Sequence, residues 1–202
     1  MSIYRNTLLS VIASCVSVQV HAEPFHQRLS QAAIERTQHA INYDPAYVSI
    51  PYPNGDVPSD TGVCSDVVVR SLRTLEIDLQ QLIHEDMKAN FSAYPNHWGL
   101  KRTDRNIDHR RVPNIETYLT RHNMRLPPSN RANDYLAGDI VAWNLKGEDG
   151  GWLPHIGIVT NEKSSNGLPL IVHNIGAGPQ IENVLFAWPI SGRYRPDDAS
   201  FQ

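Results

Sequence analysis

Three side chains able to break an acyl bond stand far apart in this chain. Cys64 sits in Thr61-Gly62-Val63-Cys64-Ser65-Asp66, His155 heads His155-Ile156-Gly157-Ile158-Val159, and His173 ends Leu170-Ile171-Val172-His173. A thiolate attacks an acyl carbon, one imidazole takes the thiol proton and returns it to the leaving group, and a third polar residue holds that ring in the productive tautomer. Cys64 is assigned as nucleophile, His155 as base and His173 as orienting group. Asn174 is a second candidate for the last role, although adjacent strand residues face opposite ways. The main-chain amide of Cys64, with a neighbour, could serve the oxyanion. A free thiol with a pKa of about 8.5 is only a few per cent thiolate at neutral pH. A helix dipole contributes at most about 2 kcal/mol, roughly one and a half pKa units, so a full thiolate needs an imidazolium beside it.

The elements that must position these groups can be read from local patterns. Turn signals in Pro53-Asn54-Gly55-Asp56 and Pro58-Ser59-Asp60 precede Cys64, and Val68, Leu72, Leu75, Leu79 and Leu82 follow at alternating steps of four and three. That spacing predicts one helix, with Cys64 heading its buried stripe. From Leu136 the texture becomes β-like: Asp139–Trp143, His155–Thr160 and Leu168–His173, with Phe186–Trp188 and Gly192–Arg195 as further candidate strands. Helices first and an antiparallel sheet later make an α+β arrangement, the nucleophile helix packed on the sheet. Period-two alternation places His155, Gly157 and Val159 on one face, and Gly157 is expected to clear space for the helix N-terminus. If the second and third strands are antiparallel neighbours, both histidines reach the sheet edge where Cys64 should dock.

The 202 residues are 41% hydrophobic and 19% charged, which suits one globular domain, and a formal net charge of −3 argues against a nucleic-acid partner. Residues 1–22 read as a secretory signal peptide: Arg5 precedes an apolar run from Thr7 to Val18, and Val20-His21-Ala22 offers a cleavage site. Ile12-Ala13-Ser14-Cys15 also looks like a lipobox, so soluble export and lipidation through Cys15 both stand. Either places residues 23–202, a single domain without a transmembrane span, in the periplasm or cell envelope. There Cys64 is the only remaining cysteine, in a compartment that oxidises pairs. It is either a buried small hydrophobe or a reactive thiol, and the helix start and the histidines favour the second.

Glu23 to Tyr43 has the spacing of a first amphipathic helix, and Tyr47–Ile50 that of a short strand. Pro113 fits the first position of a later helix through Ile115, Tyr118, Leu119 and His122. Residues 84–113 show no sustained period and read as a long ordered loop. In it, Lys101, Arg102, Arg105, Arg110 and Arg111 outnumber Asp104 and Asp108. Such a loop either holds substrate carboxylates in bidentate pairs or is a solvated face with internal ion pairs. The candidate substrate contacts are Tyr52, Asp66, His109, Arg110, Arg111 and Asn174.

Gly-Val-Cys-Ser-Asp before a helix, Ala-Gly-Asp-Ile-Val-Ala-Trp, His-Ile-Gly-Ile-Val and Ile-Val-His resemble the hallmarks of the NlpC-type cell-wall cysteine peptidases. Glu85-Asp86-Met87, Asn106–Pro113 and His173-Asn174-Ile175-Gly176 resemble more closely an uncharacterised bacterial domain-of-unknown-function family within that superfamily. The resemblance implies a papain-like fold, a Cys-His-His triad on Cys64, His155 and His173, and cleavage of amide bonds in peptidoglycan stem peptides without metal or cofactor. One departure is that Val63 and Asp66 flank the Cys-Ser pair where the superfamily usually has Asp-Cys-Ser-Gly. Two other classes are weighed. One is a non-catalytic module binding cell-wall peptides through the arginine-rich loop. The other is a zinc hydrolase on His155, His173 and Cys64 or Asp139, against which stands the lack of a short-spaced ligand pair.

Overall fold

The computed structural model describes residues 23–147 and 149–201, so the expected export segment and Cys15 lie outside the described residues. Helix α1 (Phe25–Arg36) buries Phe25, Leu29, Ala32 and Ala33, one stripe at helical spacing. It stops seven residues short of Tyr43, because Asn42–Tyr43 (β1) leaves the helix to pair in parallel with Thr61–Gly62 (β2). Tyr47–Ile50 forms no strand; the Ile50 N–H donates to Asn106 Oδ1 at 3.1 Å instead.

Helix α2 (Cys64–Thr74) is covered on nearly every side, with Cys64 to Leu72 buried without interruption. Its start is set by Asp66, whose Oδ2 accepts from the Val63 N–H at 2.7 Å and ties back the first turn. The apolar stripe continuing through Leu82 is not one helix. Glu76 takes a left-handed conformation at φ 65°, and Asp78 caps α3 (Leu79–Ala89) by accepting from the Gln80 and Gln81 amides at 3.0 and 3.3 Å. The signal for that second start was Asp78 three residues before Gln81. The stripe merely kept its phase across the break, so that Leu79, Ile83 and Met87 face the core.

Residues 84–89 therefore belong to α3, and the loop proper runs from residue 90 with short 3-10 turns at Phe91–Ala93 and Asp108–Arg110. Helix α4 (Val112–Arg121) follows, with Pro113 in its first turn where its missing N–H costs nothing.

The second half forms a six-stranded antiparallel sheet of Arg125–Leu126 (β3), Ile140–Asn144 (β4), Pro154–Lys163 (β5), Pro169–Asn174 (β6), Pro179–Glu182 (β7) and Ile190–Tyr194 (β8), ordered β3-β8-β4-β5-β6-β7. Phe186–Trp188 is not a strand but part of the connection from β7 to β8. Alternation sorts the residues: Ile140, Ala142, Ile156, Ile158 and Val172 pack with Cys64, Val68 and Leu72, whereas Val141, Trp143, Val159 and Ile171 pack with Tyr135 and Leu185. The Trp143 indole N–H donates to the Leu185 carbonyl at 3.0 Å, which closes this second layer. The architecture is α+β, the Cys64-bearing helix lying on an antiparallel sheet.

Asp139, fully buried ahead of β4, accepts from Arg195 Nε and Nη2 at 2.7 and 2.8 Å and lies 3.4 Å from Arg193 Nε. It staples β4 to β8 and is not a group held out for a metal.

Candidate active site

β5 and β6 pair with Ile158 opposite Val172, a register that carries His173 to the level of Gly157 and His155 one diagonal step away on the same face. Gly157 has a different purpose from the one expected. A Cβ there would stand 2.8 Å from the Val172 carbonyl oxygen and 3.0 Å from His173 Cβ, so its missing side chain admits His173 and not the helix. His155 Nε2 and His173 Nδ1 meet at 2.8 Å, with both residues buried. Trp188 stands edge-on to both rings, at centroid distances of 6.0 and 6.2 Å, and Trp143 lies 5.9 Å from His155.

These walls dehydrate the pair. Burial first, then the proximity of His173, pulls the His155 pKa down to about 3. Burial also lowers His173, but the carboxylate of Glu182 works against it, its Oε2 lying 2.8 Å from His173 Nε2. Glu182 was not legible as a site residue. It alternates correctly in Pro179-Gln180-Ile181-Glu182, but only the pairing of β7 with β6 puts it behind His173.

Cys64 is 6% exposed at the head of α2 and packs in the layer that includes Ile156. Its sulfur is served by the main-chain amides of Ile156, Ser65 and Cys64 itself, which favour the thiolate. Burial outweighs them, and with help from the Asp66 charge it pushes the thiol up to about 11. The expected thiolate beside an imidazolium is therefore replaced by a neutral thiol and a neutral imidazole. Alternation explains the approach: Ile156 turns toward α2 while its neighbour His155 turns to the other face. Among the described residues no side-chain hydrogen bond joins the sulfur to either ring. The sulfur meets the strand main chain one residue past His155.

Of the expected substrate contacts, Asp66 and Arg110 are instead bound to each other. Arg110 Nε and Nη2 donate to Asp66 Oδ1 and Oδ2, both at 2.9 Å, with the two side chains buried. The Ser65 hydroxyl donates to the Arg110 carbonyl at 2.7 Å, so the 108–110 turn is clamped to the start of α2. That clamp accounts for an aspartate where the resembled pattern has glycine. His109 is buried as well, and dehydration lowers it to about 4. In the structure all three side chains are buried, Asp66 and Arg110 against each other. Tyr52 packs edge-on to His84 at 5.1 Å and reaches Glu85 Oε1 at 3.4 Å, which makes it a loop anchor on α3. Asn174 is buried on the face opposite His173 and donates to the Gly62 carbonyl at 3.4 Å, tying β6 to the strand before Cys64. Arg111 keeps an opening. It pairs with Asp108 at 3.1 Å, lies over the Trp98 ring at 4.2 Å, and borders a cavity of about 260 Å³ with Met87, Phe91, Tyr94 and Leu100.

Among the described residues no three histidine, cysteine or acidic side chains stand close enough to hold a metal ion, and no helix is long and apolar enough to cross a membrane.

Comparison with known proteins gives two kinds of likeness. Among solved structures, NlpC1 from Trichomonas vaginalis aligns with a TM-score of 0.47 and 14% identity over 88% of this chain and 46% of its own. NlpC2 from the same organism aligns with a TM-score of 0.46 and 17% identity over 88% of this chain and 48% of its own. The chain thus spans about half the length of these two structures. An uncharacterized protein of Escherichia coli (strain K12), YijF, is 52% identical over 178 residues, 88% of this chain and 84% of the relative. The profile described as "Domain of unknown function (DUF1287)" matches residues 30–196, and the chain belongs to that family.

Proposed function

We propose that this chain is an exported cysteine hydrolase that cleaves an amide bond in cell-wall stem peptides. The observation that carries the reading is the 2.8 Å pairing of His155 Nε2 with His173 Nδ1, beside the Ile156 amide that serves the Cys64 sulfur. With Nε2 so engaged, Nδ1 of His155 is the nitrogen left to take the thiol proton, once substrate binding brings the ring and the sulfur, which share no hydrogen bond in the resting structure, within reach. His155 then donates through Nε2 to His173 Nδ1, which makes His173 the Nε2–H tautomer facing Glu182. Glu182 is thereby a positioning residue that fixes the second ring.

In the first step the thiol proton passes to His155, sulfur bonds to the carbonyl carbon, and the oxyanion turns to the amides at the head of α2. The C–N bond breaks as His155 returns the proton to the leaving amine. Water, deprotonated by the same ring, then cleaves the thioester to a carboxylate and restores the thiol. Because thiol and imidazole begin neutral, proton transfer belongs to the encounter with substrate and not to the resting state.

The test is incubation of the purified protein with muropeptides and determination of product masses. Hydrolysis is expected for the wild type and none for Cys64→Ala; unchanged turnover in that variant overturns the reading. The buried, protonated state of Cys64 favours one second reading, a peptide-binding module on the same fold. It predicts saturable binding without product, insensitive to alkylation of Cys64.

A further inference from the structure

We infer that the cleft between the end of α1 and the outer side of α2 is a binding site for a small oxyanion, a carboxylate or a phosphate, with Arg36 as its principal donor. The cleft has a volume of about 290 Å³ and is lined by Arg36, His39, Asp56, Ser59, Arg70 and Arg73. Three guanidiniums therefore share one carboxylate, and that carboxylate is already engaged. Asp56 Oδ2 accepts from Arg70 Nε at 2.9 Å and Arg73 Nη1 at 2.8 Å, and its Oδ1 accepts from Arg70 Nη2 at 3.2 Å. The two arginines also hold main-chain carbonyls, Arg70 those of Val57 and Pro58, Arg73 that of Gly55.

Among the described residues Arg36 forms no ion pair. Its side-chain hydrogen bond goes to the ring of His39, and among the described residues its buried Nε–H has no partner. Burial and the nearby Arg70 charge lower its pKa, with Glu35 and Asp56 opposing. A buried guanidinium donor with no acceptor, bordering an open cleft beside a second guanidinium, is what an oxyanion satisfies through paired hydrogen bonds. The inference does not rest on the hydrolase reading. No atom of Cys64 lines the cleft.

The test uses calorimetry and ¹⁵N NMR of the wild-type protein at low salt, with inorganic phosphate, N-acetylglycine and the uncharged N-acetylglycinamide as probes. Saturable binding of phosphate or N-acetylglycine is expected, with the Arg36 Nε–H resonance shifting and no response to the amide. Which of the two anions binds more tightly identifies the source of the group. Arg36→Gln should weaken binding at least about tenfold. Absence of saturable binding by both anions, an unmoved Arg36 resonance, or equal binding by Arg36→Gln overturns the proposal. Should that variant not fold, the wild-type resonance decides alone.

Discussion

Replacing Asp66 by Asn takes the charge from one side of a pair that is dry on both. The side chains of Arg110 and Asp66 are 3% and 4% exposed, and two hydrogen bonds of 2.9 Å join them. Asparagine can still accept from the Val63 amide, so the helix start is partly kept, but Arg110 is left as a buried cation without a counter-ion. Breaking one partner of such a pair costs about 3–5 kcal/mol, a large share of the roughly 5–15 kcal/mol that holds a domain folded. At a urea slope of about 2 kcal/mol per molar, the unfolding midpoint should fall by about 2 M. Arg110→Met should cost about as much. The double variant should cost less than the sum by at least about 2 kcal/mol, since an apolar side chain beside a neutral amide strands no charge. A loss below about 1 kcal/mol for Asp66→Asn, or strict additivity in the double variant, would falsify the clamp. A raised KM with an unmoved midpoint would return Asp66 to the substrate.

Gly157→Ala should cost about 1–3 kcal/mol by the same measurement, because the new methyl meets the Val172 carbonyl, which cannot rotate away. Glu182→Gln keeps an acceptor and removes the charge that opposes the lowering of the His173 pKa, so kcat should fall with KM little changed and the acid limb of the rate profile should move; an unmoved kcat and limb remove Glu182 from the relay. In acid, His155 and His109 stay neutral in the folded chain to about 3 and about 4 but charge near 6.5 when unfolded. The unfolded state then binds more protons, so stability falls as pH drops below about 6.5. His109→Gln should remove a share of that slope worth about 3 kcal/mol, and an unchanged acid limb in this variant refutes the burial argument. In alkali the order reverses. The Cys64 thiol keeps its proton to about 11 when folded, against 9.0 ordinarily, so stability should decline above about pH 9, and Cys64→Ser should flatten that decline.

Local pattern alone was enough to set the order of helices and sheet and the strands carrying His155 and His173. Alternation of period two and turn residues report backbone geometry wherever they occur. Burial also follows locally: a stripe such as Phe25, Leu29 and Ala33 can only face a core. The sequence could not show that Asp66 finds Arg110 forty-four positions away, that Glu182 stands behind His173, or that Arg36 lies beside Arg70. It misled where a stripe held its phase across the break at Glu76, and where Gly157 was matched to a helix instead of a neighbouring strand. The protonation states were equally out of reach. A thiol at a helix start reads as activated until the layers around it are known, and only the closing of both faces of the sheet decided that water is excluded from Cys64 and His155 and that both rest uncharged. Spacing along the chain governs backbone shape, whereas charge depends on what packs around a group from elsewhere in the chain, and that is set by strand register and helix docking.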